Sequence, residues 1–283
     1  MPARVTDEPQ PAATCGIAAS AHLACPAAEV AALRDRPGPA GAPALPARFL
    51  RHCDEQTVVG MHAMLAALAD HPGPRPGFGA DAVVAAPRQA GRAVTARTLS
   101  QVAREGAVAV TPHVVPQCSL HSLAGAVSVG LGLHGPHLGV GGGPDALAEG
   151  LFTALSLLSP AAGTGLPGVW LVATGWRDEP LLDAGGVPAG SPTLQAVAAR
   201  LVPVGVAARA GLALTWPAGR AAASAGGDDL AAFAAAVTAR AAGDQQATWT
   251  VACPWGAEIR VTSAVAAGRD IIAPHQSFAR EAA

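Results

Sequence analysis

Residues 135 to 151 read GPHLGVGGGPDALAEGL. A short apolar strand, His137 to Val140, runs into three glycines, then Pro144 and a helix extending to Leu158. A sharp strand-to-helix turn of this kind holds an exposed nucleophile in many enzymes. Here Gly142, Gly143, Pro144 and Asp145 occupy the turn, and none of the four is a Ser, Cys, Thr or Lys.

Other residues offer chemistry at suggestive spacings. Cys118 and His121 lie three apart, the spacing of a thiol–imidazole pair on one helical turn. The alternative is a small buried cysteine near a polar helix start. Asp145 and Glu149, four apart, are the nearest pair of carboxylates. In the first turns of a helix, carboxylates already have a structural use at the positive end of the dipole. Gly130, Gly132 and Gly135 match a GxGxxG fingerprint, but Pro136 and an extended segment follow where a dinucleotide loop needs a helix. They read better as a helix end. The five cysteines are scattered without a CxxC. His134 and His137, separated by Gly135 and Pro136, share no helical face. No metal and no cofactor are expected.

Alternating elements must position these residues. The pattern predicts strands at Cys15–Ala21, Asp81–Ala86 and Val169–Ala173, the last two as continuous apolar runs buried on both faces. Helices are predicted at Arg48–Ala69, Thr95–Glu105 (capped by Thr95), His121–Leu133 and Pro144–Leu158. TPHVVPQC, 111 to 118, reads as extended because it holds two prolines. Beyond residue 183 the pattern predicts strands at Leu194–Val206 and Leu212–Trp216 and a loop at Arg220–Gly227. A helix opening at Asp228 and Asp229 and ending near Gly243 follows, then a hairpin over Thr248–Ser263. The alternation implies an α/β class with a central sheet.

Composition excludes several functions. The chain has 283 residues and a formal net charge of −2 with no basic run, so nucleic acid is not an expected partner. Lysine and tyrosine are absent, which rules out a Schiff-base lysine, a P-loop lysine and a tyrosine acid. No apolar run reaches the roughly 18 residues a membrane helix needs. The first residues, MPARVTDEPQ, carry acids and prolines where a secretory signal has its apolar segment. A cytoplasmic protein without membrane insertion is expected.

Residues 107 to 143, AVAVTPHVVPQCSLHSLAGAVSVGLGLHGPHLGVGGG, resemble the β-ketoacyl synthases of the thiolase-like fold. The likeness runs through Leu131, Gly132, Leu133, Gly135, Pro136, Leu138 and Val140 and extends more loosely over 13 to 217. It implies a thiolase-like layered α/β/α fold with a complete N-terminal half, residues 1–183. The second half, 184–283, is shortened and irregular and packs on the same core. Aligned on GPHLGV, the family's nucleophilic cysteine falls on Pro144, or on Gly143 or Asp145 with a one-residue slip. The family's two histidine motifs of the second half have no counterpart, since His275 is the only histidine after residue 137.

The resemblance therefore implies a non-catalytic subunit like a chain-length factor, acting in polyketide, aryl-polyene or fatty acid biosynthesis. Its partner would be a full-length β-ketoacyl synthase, with an acyl carrier protein reached through the complex. Pro136, His137, Leu138, Gly139 and Val140 would form the partner interface, and Leu151 and Phe152 would line the tunnel. The alternatives are a stand-alone acyl-thioester transferase or hydrolase using Cys118 and His121, or a scaffold that keeps only the fold.

Overall fold

The computed structural model describes residues 11–70, 77–178, 181–185, 187–216 and 229–264. Its centre is one mixed sheet of eight strands. In chain order the elements are β1 (Ala13–Pro26), α1 (Val30–Leu33), α2 (Glu55–Ala69), β2 (Ala82–Pro87), α3 (Arg92–Glu105), α4 (Val114–Gln117), α5 (Ser122–Leu131) and β3 (His137–Gly139). They continue with α6 (Ala146–Leu158), β4 (Val169–Trp176), β5 (Thr193–Val202), β6 (Ala210–Thr215), α7 (Leu230–Ala241), β7 (Thr250–Ala252) and β8 (Glu258–Thr262). The strand order is β3-β2-β4-β5-β1-β6-β8-β7.

Alternation along the strands divides the interior into two cores. Ala82, Val84 and Ala86 of β2, with Val169, Leu171 and Ala173 of β4, face α6 and α7. Val83 and Ala85, with Trp170 and Val172, face α2 and α5. Helices thus cover both faces, and every residue of β2 and β4 is buried. That coverage explains their continuous apolar sequence. The architecture is a layered α/β/α arrangement.

Across the middle of the sheet runs a buried ion pair. Arg200 donates from Nε to Asp81 Oδ2 over 2.7 Å and from a terminal nitrogen to Oδ1 over 3.0 Å. Gly168 leaves the room, because a Cβ there would lie 2.9 Å from Asp81 Oδ1.

Several boundaries differ from the sequence reading. β1 is longer, fourteen residues with a register shift between Ile17 and Ala19. α2 starts at Glu55 rather than Arg48, because Asp54 caps it by accepting from the Thr57 N–H. Before it, residues 48–53 form tight turns, with Arg48 at φ 62°. α3 starts at Arg92 after a left-handed Gly91, so Thr95 is not its cap. Residues 114–117 form a helical turn rather than an extended segment. Pro116 fits there because a first turn has no intrahelical use for its missing N–H. α6 starts at Ala146, leaving Pro144 in the preceding turn. The first strand past residue 183 ends at Val202, and the strand after it at Thr215. Asp229 caps α7 through the N–H groups of Ala231 and Ala232, and the terminal hairpin is β7–β8. The loop Arg220–Gly227, Asp228 and the tail containing His275 lie outside the described residues.

Candidate functional site

β2 and β4 run parallel, in register from Ala82 with Val169 to Pro87 with Thr174. Their carboxyl ends therefore open at the same end of the sheet, the usual place for ligands in α/β folds. A cavity of about 650 Å³ lies there. Its polar lining includes Arg88, Asp145, Thr174, Arg177, Gln195 and Asp229. Its apolar lining includes Ala86, Leu147, Trp176 and Leu230, and Pro144 stands at its wall. The elbow thus borders the cavity where a nucleophile on it would have to act.

Two glycines shape the elbow. Gly141 (φ 83°) and Gly142 (φ 99°) take up backbone conformations that disfavour side chains. A Cβ on Gly141 would also meet the Ala146 Cβ at 2.8 Å. Gly143 differs: it has no left-handed φ, and a Cβ there would find nothing within 4 Å. The elbow therefore has steric room for a side chain at the position next to Pro144, and the sequence puts none there.

A buried glutamine holds this geometry. Gln56, in the first turn of α2, donates to the carbonyls of Arg88 (2.8 Å) and Gln89 (3.2 Å). It accepts from Thr174 Oγ1 over 2.8 Å. Gln89 itself sits at φ 57°. Arg88 lays its stem over Gly175, where its Cβ comes within 3.2 Å of the position a Cβ would take. The Gln195 amide, with its oxygen toward Arg177, accepts from that guanidinium at 2.6 and 3.1 Å.

No hydrogen bond joins Cys118 and His121. They lie in the link between α4 and α5, not on one helical turn. The Cys118 sulfur meets Thr95 Oγ1 at 3.3 Å. The His121 ring instead packs on His137, with centroids 4.9 Å apart. The other cysteines are poor nucleophiles. Burial pushes the Cys15 thiol up to about 12. Burial, reinforced by the Asp145 charge, pushes Cys253 up to about 11. Burial likewise raises Cys25 and Cys53. Among the described residues, no group of three or more His, Cys, Asp or Glu side chains could hold a metal ion.

Leu151 is wholly buried in the core between α6 and the sheet. Phe152 points elsewhere and packs edge-on against Trp255, centroids 5.1 Å apart, beside a smaller cavity that Val140 also lines. Of the three glycines, Gly132 is the left-handed C-cap of α5, Gly130 makes room for the Phe49 ring and Gly135 for the Ala80 and Asp81 carbonyls.

β3 closes one end of the sheet. It pairs in parallel with β2 only, matching Leu138 with Val84. The Val83 N–H donates to the Pro136 carbonyl, and the Val140 N–H to the Ala85 carbonyl. Parallel pairing alternates, so residues 136, 138 and 140 face β2. His137 and Gly139 then turn their N–H and C=O groups to the open edge. The Leu138 side chain is 38% exposed beside them.

Arg88, Arg177, Gln195, Gln56 and Gln89 were not among the residues singled out from the sequence. A signal for the arginines exists, since each stands at or just past the end of a fully buried parallel strand.

No protein-family model and no curated protein matches the sequence. Solved structures do match. One is a chain from the ketosynthase ApeO in complex with its chain length factor ApeC from Xenorhabdus doucetiae. It is 17% identical at a TM-score of 0.54, and the match covers 88% of this chain and 99% of that one. The ishigamide ketosynthase/chain length factor matches with 18% identity, 81% and 74% coverage and a TM-score of 0.49. A beta-ketoacyl synthase from Burkholderia phymatum STM815 matches with 13% identity, 82% and 71% coverage and a TM-score of 0.45. The Xenorhabdus match, spanning nearly all of that chain, shows that this chain shares its thiolase-like fold.

Proposed function

We propose that the chain is a non-catalytic subunit of chain-length-factor type. It pairs in the cytoplasm with a full-length β-ketoacyl synthase that extends acyl chains on an acyl carrier protein in polyketide, aryl-polyene or fatty acid synthesis. One observation carries the reading: the elbow keeps its bend and its cavity, yet Gly143, Pro144 and Asp145 put no nucleophile on it. The open edge of β3 supplies a seam, where His137 and Gly139 offer backbone groups to a partner strand. In this reading residues 1–183 form the ketosynthase-like half, residues 184–283 a shortened remainder, and Phe152 gates chain length.

Co-expression with a full-length β-ketoacyl synthase, followed by size-exclusion chromatography, tests the proposal. Co-elution is expected, with acyl extension carried by the partner alone. A Pro144→Cys variant is expected to leave the isolated chain inactive. Elution of the chain by itself would overturn the pairing. An acyl adduct on Cys118 of the isolated chain, lost in Cys118→Ala, would instead support a transferase or hydrolase.

A further inference from the structure

We propose that the elbow cavity is a binding site for a short organic carboxylate, gripped by Arg88. The inference concerns the ligand of the cavity and does not depend on which partner the chain takes.

Several arginines of the described structure have partners within the chain, and Arg36, Arg48, Arg51 and Arg104, which show none among the described residues, do not line this cavity. Arg97, Arg200, Arg209 and Arg260 each pair with a carboxylate of the chain. Arg34 donates to the carbonyls of Leu50 and Cys53. Arg177 is committed to the Gln195 amide oxygen. Arg88 lines the cavity, and its guanidinium makes no hydrogen bond or ion pair with any described residue. Its position is nonetheless constrained. The Arg88 backbone N–H donates to the Thr174 carbonyl, and its own carbonyl is held by Gln56. The absent side chain of Gly175 makes room for its stem. A guanidinium held over a cavity with its fork unused matches the planar, two-oxygen geometry of a carboxylate.

The acids of the cavity do not fill that role. Asp229 accepts from the N–H groups of Ala231 and Ala232 through Oδ1 and makes no ion pair with either arginine among the described residues. Asp145 stands at the start of α6 and makes no ion pair with either arginine. Leu147 and Leu230, from the core on the α6 and α7 side, add an apolar lining. The pairing of one fork with an apolar lining suits a carboxylate on a short hydrocarbon body better than a fully polar anion.

Calorimetric titration of the full chain tests this with three probes: butyrate, uncharged butyramide and inorganic phosphate. Saturable binding of butyrate is expected, with butyramide and phosphate each at least tenfold weaker. Arg88→Ala should weaken butyrate at least tenfold, and Arg97→Ala should leave it unchanged. Ala231→Phe, which fills the rim without touching Arg88, should also abolish binding, so a poorly folded Arg88→Ala does not leave the question open. Phosphate binding tighter than butyrate would overturn the carboxylate assignment. Absence of saturable butyrate binding, or binding indifferent to both variants, would overturn the site. Co-elution with a ketosynthase is a separate readout, and its loss would bear on the proposed partner and not on the cavity.

Discussion

The backbone N–H of Gln89 donates to the carbonyl of Gly142 over 3.0 Å. This bond ties the loop after β2 to the elbow between β3 and α6, and Gln56 ties that loop to α2. Replacing Gln56 with leucine keeps the volume and removes every one of these polar contacts. The carbonyls of Arg88 and Gln89 then lose their donor in a buried place. Unfolding free energy should fall by about 2 kcal/mol. A urea titration of the purified chain measures it.

The elbow glycines should separate by conformation. Gly142→Ala forces a side chain into φ 99° and Gly141→Ala adds a contact with Ala146. Each should cost about 1 to 3 kcal/mol. Gly143→Ala meets open space and should change stability by less than about 0.5 kcal/mol. Denaturation midpoints of the three variants check the order, and equal losses at all three positions would contradict it.

Asp81 and Arg200 make a third test. Asp81→Ala strands a buried guanidinium, which should cost about 3 to 5 kcal/mol. The double change Asp81→Leu with Arg200→Met should recover most of that loss, because two apolar chains need no partner. Double-mutant unfolding measurements give the coupling. A loss that simply adds would show that the pair contributes nothing specific.

The seam prediction rests on strand parity. The Leu138 N–H faces β2, so Leu138→Pro would damage the sheet as well as any complex. His137→Pro removes an outward donor and leaves the β2 ladder intact. It should abolish co-elution with a ketosynthase while the melting curve stays close to that of the parent. His137→Ala keeps the N–H and should retain the complex. Loss of the complex in both variants would assign the role to the ring and not to the backbone.

The buried strands were legible because they are covered on both faces. DAVVAAP and VWLVATGW have no polar alternation to mislead. The turn at Gly141 and Gly142 was legible for the same local reason, since runs of glycine mark unusual φ. The start of α2 was misread although Asp54 carries a cap signal, because apolar spacing continues upstream through Leu50. α4 was hidden by Pro112 before it and Pro116 within it. The Gln56 clamp joins residues 32 and 118 positions apart, and no local pattern encodes such a contact. Arg88 and Arg177 gain meaning only once β2 and β4 are known to lie side by side. Cys118 and His121 keep the three-residue spacing of a pair, but α4 ends before one and α5 begins after the other.

Both ends of the sheet taper. β3 and β7, the outermost strands, have three residues each, while those between run from five to fourteen. Short edges discourage indiscriminate stacking of sheets. The cost of that protection falls on the partner. Two outward residues give at most four backbone hydrogen bonds, about 4 kcal/mol in net terms. That roughly matches the smallest estimates of what association loses in freedom of motion, about 4 kcal/mol. In the proposed pairing, recognition at this seam must therefore be written in side chains around Leu138 and the tilted His121–His137 pair, so divergence there would change the choice of mate while leaving the sheet untouched.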